Sequence, residues 1–425
     1  MIMRELVDKG IDWVGAVPEK WHFKKGKYLF QQRCERGNTI ELQLLSPTQK
    51  YGCIPQCLYE ELTGANAVKL NEKTDLNLLK TIHRGDFCIS LRSFQGGFEY
   101  SDYEGVVSPA YQVFYPIHDD VYCGYYKYMF KDGAFIDKMN SFTLSLRDGK
   151  NIAFADFGNT LLPLPSIKEQ KAIADYLDKK TCEIDVAIKE AQELIDKYKS
   201  YKQSVITEAV TKGLQKNIPM KESGLSWAKE VPSHWGIMPN KYIMFKLKEI
   251  QDIYMGEDII SLSTEGVKVR DLDAGGKMPT TFDGYQKIKP GRLLMCLFDM
   301  DVTPRCIGII KDEGLTSPAY SQFVLRDIGY APYYYYYYLS LDFDKTLVHL
   351  AKNLRHSLTE DQLGAISVPV PPIEEQQEIA AFLDDKCSMI DSIISEKANL
   401  ILQLQEYKKS IIFEYVTGKK EVPNG

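Results

Sequence analysis

Asp299 and Asp301 stand two residues apart behind the apolar run Leu293-Leu294-Met295-Cys296-Leu297. A carboxylate pair at a strand end is the kind of arrangement that holds a divalent cation in metal-assisted hydrolysis. No Glu-x-Lys follows to complete a nuclease-like set, so the plainer reading is a pair of acids in a turn. His22, His83, His118, His234, His349 and His356 are dispersed, without the His-x-x-x-His spacing that places two imidazoles on one metal. Nine cysteines are scattered without a Cys-x-x-Cys; Cys53 and Cys57 are the close pair, and no histidine lies near them. There is no Gly-x-x-x-x-Gly-Lys-Ser/Thr phosphate loop, no Gly-x-Gly-x-x-Gly fingerprint and no Asn/Asp-Pro-Pro-aromatic segment. The tyrosine-rich stretches 122–130 and 333–338 could stack bases. A run that follows Pro332 and continues into Leu339-Ser340-Leu341 reads better as a helix packed into a core. No catalytic and no metal-ligating residue is expected, and the chain reads as a binding protein.

The element that must position everything else occurs twice. Residues 163–211 and 369–417 align without a gap at an offset of 206, with 23 of 49 pairs identical. Each copy opens on a proline pair (Pro163 and Pro165; Pro369 and Pro371) and an Ile-x-Glu-Gln (Ile167, Glu169, Gln170; Ile373, Glu375, Gln376). Proline disfavours helix in the residue before it, and acids suit the positive end of the helix dipole, so both copies predict a helix start. Leu177, Ile184, Ile188, Ala191, Ile195, Tyr198, Val205 and Ala209 then recur at steps of about three and four, matched by Leu383, Cys387, Ile390, Ile394, Ile401, Leu404, Ile411 and Tyr415. Lys202 and Lys408 break the two seams at the same point, beside Tyr201 and Tyr407. At 1.5 Å per residue each helix would span roughly 65 Å, and two equal helices pack most simply as an antiparallel coiled coil.

The segments before the helices also match. Gly10, Trp13, Val17-Pro18 and Trp21 correspond to Gly224, Trp227, Val231-Pro232 and Trp235, which accounts for all four tryptophans, read as packing anchors. Ser-Pro-Ala-Tyr recurs at 108–111 and 317–320, while the sequences just before it diverge, as on a common scaffold with different loops. The expected fold class is α+β: two globular α/β-mixed domains separated by two long antiparallel helices, in a pseudo-twofold cyclic arrangement. The expected boundaries are 1–165 for the first domain and 166–217 for the first helix with its linker. The second domain and the second helix with its tail take 218–371 and 372–425. A length of 425 residues suits two or three domains. No apolar run is long enough to span a membrane and no secretory signal core is present, so with unpaired cysteines a reduced, cytoplasmic location is expected. Net charge is −6, so any DNA contact must come from local patches or from a partner's positive field.

The duplicated Pro-x-Pro-x-Ile-x-Glu-Gln start, its Ile-Ala-x-Tyr/Phe-Leu-Asp continuation, the Gly-x-x-Trp…Val-Pro-x-x-Trp lead-in, Arg92-Ser93-Phe94-Gln95-Gly96-Gly97 and Ser108-Pro109-Ala110-Tyr111 resemble the specificity subunit of type I restriction–modification enzymes. The resemblance covers nearly the whole chain. It implies two target recognition domains that read the halves of a bipartite, asymmetric site on double-stranded DNA. It also implies two spacer helices that dock two methylation subunits, with motor–nuclease subunits joining through the complex. S-adenosylmethionine, ATP and magnesium would belong to those partners, not to this non-enzymatic chain. Phe298-Asp299-Met300-Asp301 stands where Arg92–Gly97 would lie, so contacts do not transfer between halves.

Within that scheme Arg and Gln suit guanine and adenine edges. The candidates for DNA contact are Arg92, Gln95, Arg147 and Lys150 in the first half, and Lys268, Arg270, Arg305, Arg355 and His356 in the second. Glu169, Gln170, Glu375 and Gln376 are the candidates for partner binding on the outward helix faces, with helix capping as the rival role. Two other functions fit the sequence: an interaction scaffold with two aromatic-rich modules on a coiled-coil rod, and a stand-alone DNA-binding variant without methylation partners.

Overall fold

A computed structural model of the chain describes residues 4–37, 42–67, 75–89, 97–142, 152–273, 279–351 and 356–423. The chain forms two compact units, Met1–Ala191 with Asn399–Gly425, and Gln192–Ala398. In the first, the apolar strand Phe87–Ile89 is buried at every residue, as a strand covered on both faces must be. It lies between Phe98–Tyr100 and Gln112–Pro116, and Phe30–Gln32 completes a four-stranded antiparallel sheet. Phe30 meets Tyr126, Phe114 and Phe87 edge-on, with ring centroids 5.1, 5.5 and 5.9 Å apart. Such pairs add about 0.5–1.5 kcal/mol each beyond their buried area.

The second unit builds the same sheet from a different sequence. Its order is Met244–Leu247, Ser321–Leu325, Leu293–Met295, Ile307–Ile309, again antiparallel throughout. In both units the strand leading into the long helix pairs with an early strand: Leu161–Leu164 with His22–Lys25, and Ser367–Val370 with Gly236–Pro239. Pro163 and Pro369 therefore sit on two-stranded ribbons, where a missing N–H is tolerated.

The two long helices run Ile167–Lys212 and Ile373–Val416. Their partnership is antiparallel in each unit. In the first, Tyr176 stacks on Tyr415 at 4.5 Å and Lys408 Nζ reaches Asp185 at 2.6 Å. In the second, Lys202 Nζ reaches both carboxylate oxygens of Asp391 at 2.7 and 2.6 Å. The predicted seam positions Leu177, Ile184, Ala191, Ile195, Ala209, Leu383, Cys387, Ile390, Ile411 and Tyr415 are buried. The lysines that interrupt the seam are thus satisfied by an aspartate of the opposite helix, and both aspartates occupy matching places in the repeat.

The tyrosine run forms the helix Ala331–Phe343, with Tyr333, Tyr334, Tyr336, Tyr337 and Tyr338 buried. Its hydroxyls find fixed acceptors, as buried phenols require. Tyr333 donates to Val210 O at 3.0 Å, an orphan carbonyl at the end of a long helix, and Tyr125 donates to Val416 O at 2.7 Å in the other unit. Tyr336 donates to Asp384 and Tyr128 to Asp178, at 2.7 and 2.5 Å. These rings are core and clamp, not a platform for bases.

Candidate nucleic-acid interface

The divergent sequence lies between the matched strands. In the second unit it joins Leu293–Met295 to Ile307–Ile309, and residues 296–306 are all described. Asp299 takes a left-handed conformation (φ 45°), uncommon for a residue with a Cβ. Its carbonyl accepts from Thr303 N at 3.0 Å and Thr303 Oγ1 at 2.8 Å, which winds the loop into one tight turn. Lys345 pins that turn from the helix side, donating to Thr303 O at 2.6 Å and Asp342 Oδ1 at 2.7 Å, while Asp342 Oδ2 accepts from Cys306 N at 2.8 Å. On the other side Leu358 N donates to Leu297 O at 2.8 Å and Met300 N to His356 O at 3.3 Å. His356 is itself left-handed (φ 44°). Two strained residues therefore face each other across a braced loop, and strain of this kind gathers where a surface is pre-shaped for use.

Beside the loop lies a cleft of about 450 Å³ lined by Lys246, Phe298, Pro318, Ser321, Ser357 and Thr359, among others. Phe298 stacks on Tyr320 at 6.3 Å. Tyr320 is the last residue of the second Ser-Pro-Ala-Tyr, which proves to be a turn: Tyr320 N donates to Ser317 O at 3.1 Å and Ala319 N to Ser317 Oγ at 3.3 Å. The first copy makes the same bonds, Tyr111 N to Ser108 O at 3.1 Å and Ala110 N to Ser108 Oγ at 3.4 Å. The shared motif therefore precedes a sheet strand in both units, and in the second its tyrosine meets Phe298 of the variable loop. The sequence signalled the motif but not its aromatic partner Phe298.

Of the expected DNA contacts, Arg92, Gln95, Arg147, Lys150 and Arg355 lie outside the described residues. Lys268 is on the hairpin Ile260–Ser263/Gly266–Val269, exposed, with its ammonium against Glu265. Arg270 follows that strand, and its N–H donates to Ile259 O at 2.7 Å. Arg305 is half-buried and spends its guanidinium inside the unit: Nη1 donates to Thr264 O at 3.1 Å, Nε to Ile307 O at 3.1 Å and Nη2 to the Tyr335 hydroxyl. It ties the hairpin of Lys268 to the variable loop, so in this conformation it braces the loop. His356 lies across the loop, its Nε2 4.0 Å from Asp301 Oδ2. Among the described residues no three His, Cys, Asp or Glu side chains gather as a metal site.

The expected outward position of the helix-start glutamines is corrected by the structure. Gln170 and Gln376 are fully buried. Gln170 Nε2 donates to Asp120 O and Pro165 O at 2.8 and 2.9 Å, and its Oε1 accepts from Tyr122 N at 2.8 Å. Gln376 repeats this with Ile328 O, Pro371 O and Tyr330 N at 2.9, 2.9 and 2.8 Å. Each amide meets three backbone groups that would otherwise be unpaired, which fixes the tyrosine helix against the long helix of its unit. Glu169 pairs with Arg4 at 2.5 Å, and Glu375 accepts from Trp235 Nε1 at 3.0 Å and His234 Nε2 at 2.9 Å. These four side chains face the domains that precede the helices.

The family model for the type I restriction modification DNA specificity domain matches residues 18–194 and 309–403. The chain is 26% identical over 310 residues to the type I restriction enzyme MjaVIII specificity subunit of Methanocaldococcus jannaschii, spanning 67% of this chain and 68% of that one. It is 25% identical over 293 residues to the EcoBI specificity subunit of Escherichia coli, spanning 64% of this chain but only 60% of its relative. Its fold is similar to that of a chain solved in work on complex assembly and conformational transition of the type I R-M system. There the TM-score is 0.69 at 15% identity, covering 95% of this chain and 99% of the other.

Proposed function

The chain belongs to the type I restriction modification DNA specificity family, and from that membership we propose that it is the DNA-reading subunit of a type I restriction–modification complex. Each unit reads one half of a bipartite, asymmetric site on double-stranded DNA, and the chain carries no catalysis of its own. The observation that bears most weight is the repeated scaffold with unlike loops. Strand order, tyrosine clamp and buried glutamine recur in both units, whereas the sequences between the matched strands diverge. Two such loops suit two different half-sites, since base edges specify and phosphates only position.

In this reading the long helices fix the gap between half-sites, in the pseudo-twofold cyclic arrangement expected from the repeat, and dock two methylation subunits. Tyr201 and Tyr407, which are 54% and 53% exposed at matched positions, belong to that docking face. Aromatic side chains of this kind commonly dominate binding energy at interfaces. The partners bring S-adenosylmethionine, and motor–nuclease subunits bring ATP and magnesium, in the cytoplasm. Lys268, Arg270 and His356 remain the proposed DNA contacts among the described residues, together with Arg92, Gln95, Arg147, Lys150 and Arg355. The test is to assemble the chain with its methylation subunits, methylate a random-sequence duplex library and sequence the modified molecules. One two-part motif supports the proposal; methylation without sequence preference overturns it.

A further inference from the structure

Cys296 and Cys306 face each other at the base of the second unit's variable loop. The ladder pairs Met295 with Ile307, and the next rung is Cys296 with Cys306, joined by Cys296 N donating to Cys306 O at 2.8 Å. Directly opposed residues of an antiparallel pair have Cα atoms about 4.5–5.5 Å apart and side chains on one face, within the roughly 4.4–6.8 Å that a disulfide spans. Both thiols converge on Thr303: Cys296 Sγ lies 3.9 Å from its Oγ1, and Cys306 Sγ 3.9 Å from its carbonyl. Both side chains are buried and reduced. At the corresponding places of the first unit the sequence has Ser90 and Gly97, so the pair belongs to one recognition unit alone.

We propose that Cys296 and Cys306 form a reversible disulfide that closes the variable loop of the second unit and weakens reading of that unit's half-site. The proposal rests on the DNA-reading function given above. Bringing the two sulfurs to bonding distance displaces Thr303, which lies against both. Thr303 is the anchor of the turn, held by the Asp299 carbonyl on one side and by Lys345 at 2.6 Å on the other. Loss of that anchor moves the loop's exposed residues, Phe298 and Val302 among them, the latter 73% exposed.

With hydrogen peroxide as oxidant the step balances. One of the two thiolates attacks one peroxide oxygen and hydroxide leaves, giving the sulfenic acid. The other thiolate attacks that sulfur, the S–S bond forms and a second hydroxide departs. The two thiol protons convert both hydroxides to water. Lys345 Nζ, 3.8 Å from the Cys306 sulfur, favours its thiolate. Burial outweighs that help and, with Asp342 nearby, pushes the Cys306 thiol up to about 12; burial raises Cys296 as well. Oxidation is therefore slow in the braced loop at neutral pH and accelerates as pH rises.

The full chain, assembled with its methylation subunits, is treated with hydrogen peroxide and digested with trypsin without reduction. The expected product is the peptide 293–305 linked to 306–311, lost on adding dithiothreitol and formed faster at higher pH. Binding is then measured to the cognate duplex and to duplexes with either half-site scrambled. The oxidised complex should lose about tenfold in affinity, the scale of one lost base contact. It should also become indifferent to scrambling one half-site while still discriminating at the other, with recovery on reduction. Absence of the linked peptide overturns the proposal. So does unchanged discrimination at both half-sites, or a loss that persists in Cys296→Ser. If the reduced complex shows no bipartite preference, the DNA-reading proposal has failed, and the peptide map still decides whether the pair closes.

Discussion

A buried glutamine amide that serves three backbone groups is costly to remove. Gln376→Leu keeps similar bulk but removes the partner of Ile328 O, Pro371 O and Tyr330 N. A buried group left unsatisfied costs about 1–3 kcal/mol, and Pro371 O is the one fully buried, so a loss of at least about 1–3 kcal/mol is expected, read as a fall in the urea midpoint. Gln376→Glu, which keeps the acceptor but loses the donor, should be no milder. A second residue-scale prediction concerns Glu99. Burial pushes its carboxyl up to about 7, against the pull of Lys131, whose Nζ lies 2.7 Å from Oε2. The unfolded carboxyl ionises near 4.5. Between these values the unfolded chain has released a proton that the folded chain retains, so stability falls as pH rises from 4.5 to 7 and is level beyond. The penalty is on the order of 3 kcal/mol, and Glu99→Gln should flatten this part of a stability–pH profile. A profile unchanged by the substitution would remove Glu99 as its source. Neither role was legible in the sequence. Glu-Gln at a helix start reads as a solvated cap, and two of the three partners of Gln170, Asp120 O and Tyr122 N, come from a segment about fifty residues earlier, which periodicity does not connect.

At the scale of elements the sequence was more informative, because a heptad and a gapless repeat both leave long-range marks in local spacing. The helix starts at Ile167 and Ile373 follow from the prolines before them and the acids of their first turns. The burial of the tyrosine run follows from its continuation into Leu339 and Leu341. The seam lysines did not explain themselves. Lys202 and Lys408 are polar breaks until the opposite helix supplies Asp391 and Asp185. Exposed pairs of this kind contribute only about 0–1 kcal/mol, but a polar pair at a seam fixes register, because a slipped helix would leave it unmatched. If the helices set the gap between half-sites, lengthening both by four residues adds about 6 Å. The required gap should then grow by one or two base pairs with both half-sites unchanged, read by methylation of duplexes that differ only in spacing. Altered half-sites would contradict the role of the helices as a spacer.

For the molecule as a whole, the duplication carries the functional argument. Two units share a strand order and a clamp, and differ where LRSFQGGFEYSDYEGVV in one stands against LFDMDVTPRCIGIIKDEGLT in the other. That divergence was visible from the start, yet the bases read were not, since loop conformation decides which side chains reach an edge. Arg305 makes the point: by residue type it suits guanine, while three of its five N–H groups donate to Thr264 O, Ile307 O and the Tyr335 hydroxyl. The central claim is that this chain selects a bipartite site for methylation. Its most direct test is methylome sequencing of the host with the gene intact and deleted. The account predicts one two-part adenine-methylated motif that disappears on deletion and returns with the gene. An unchanged methylome, with methylation subunits expressed, would contradict it.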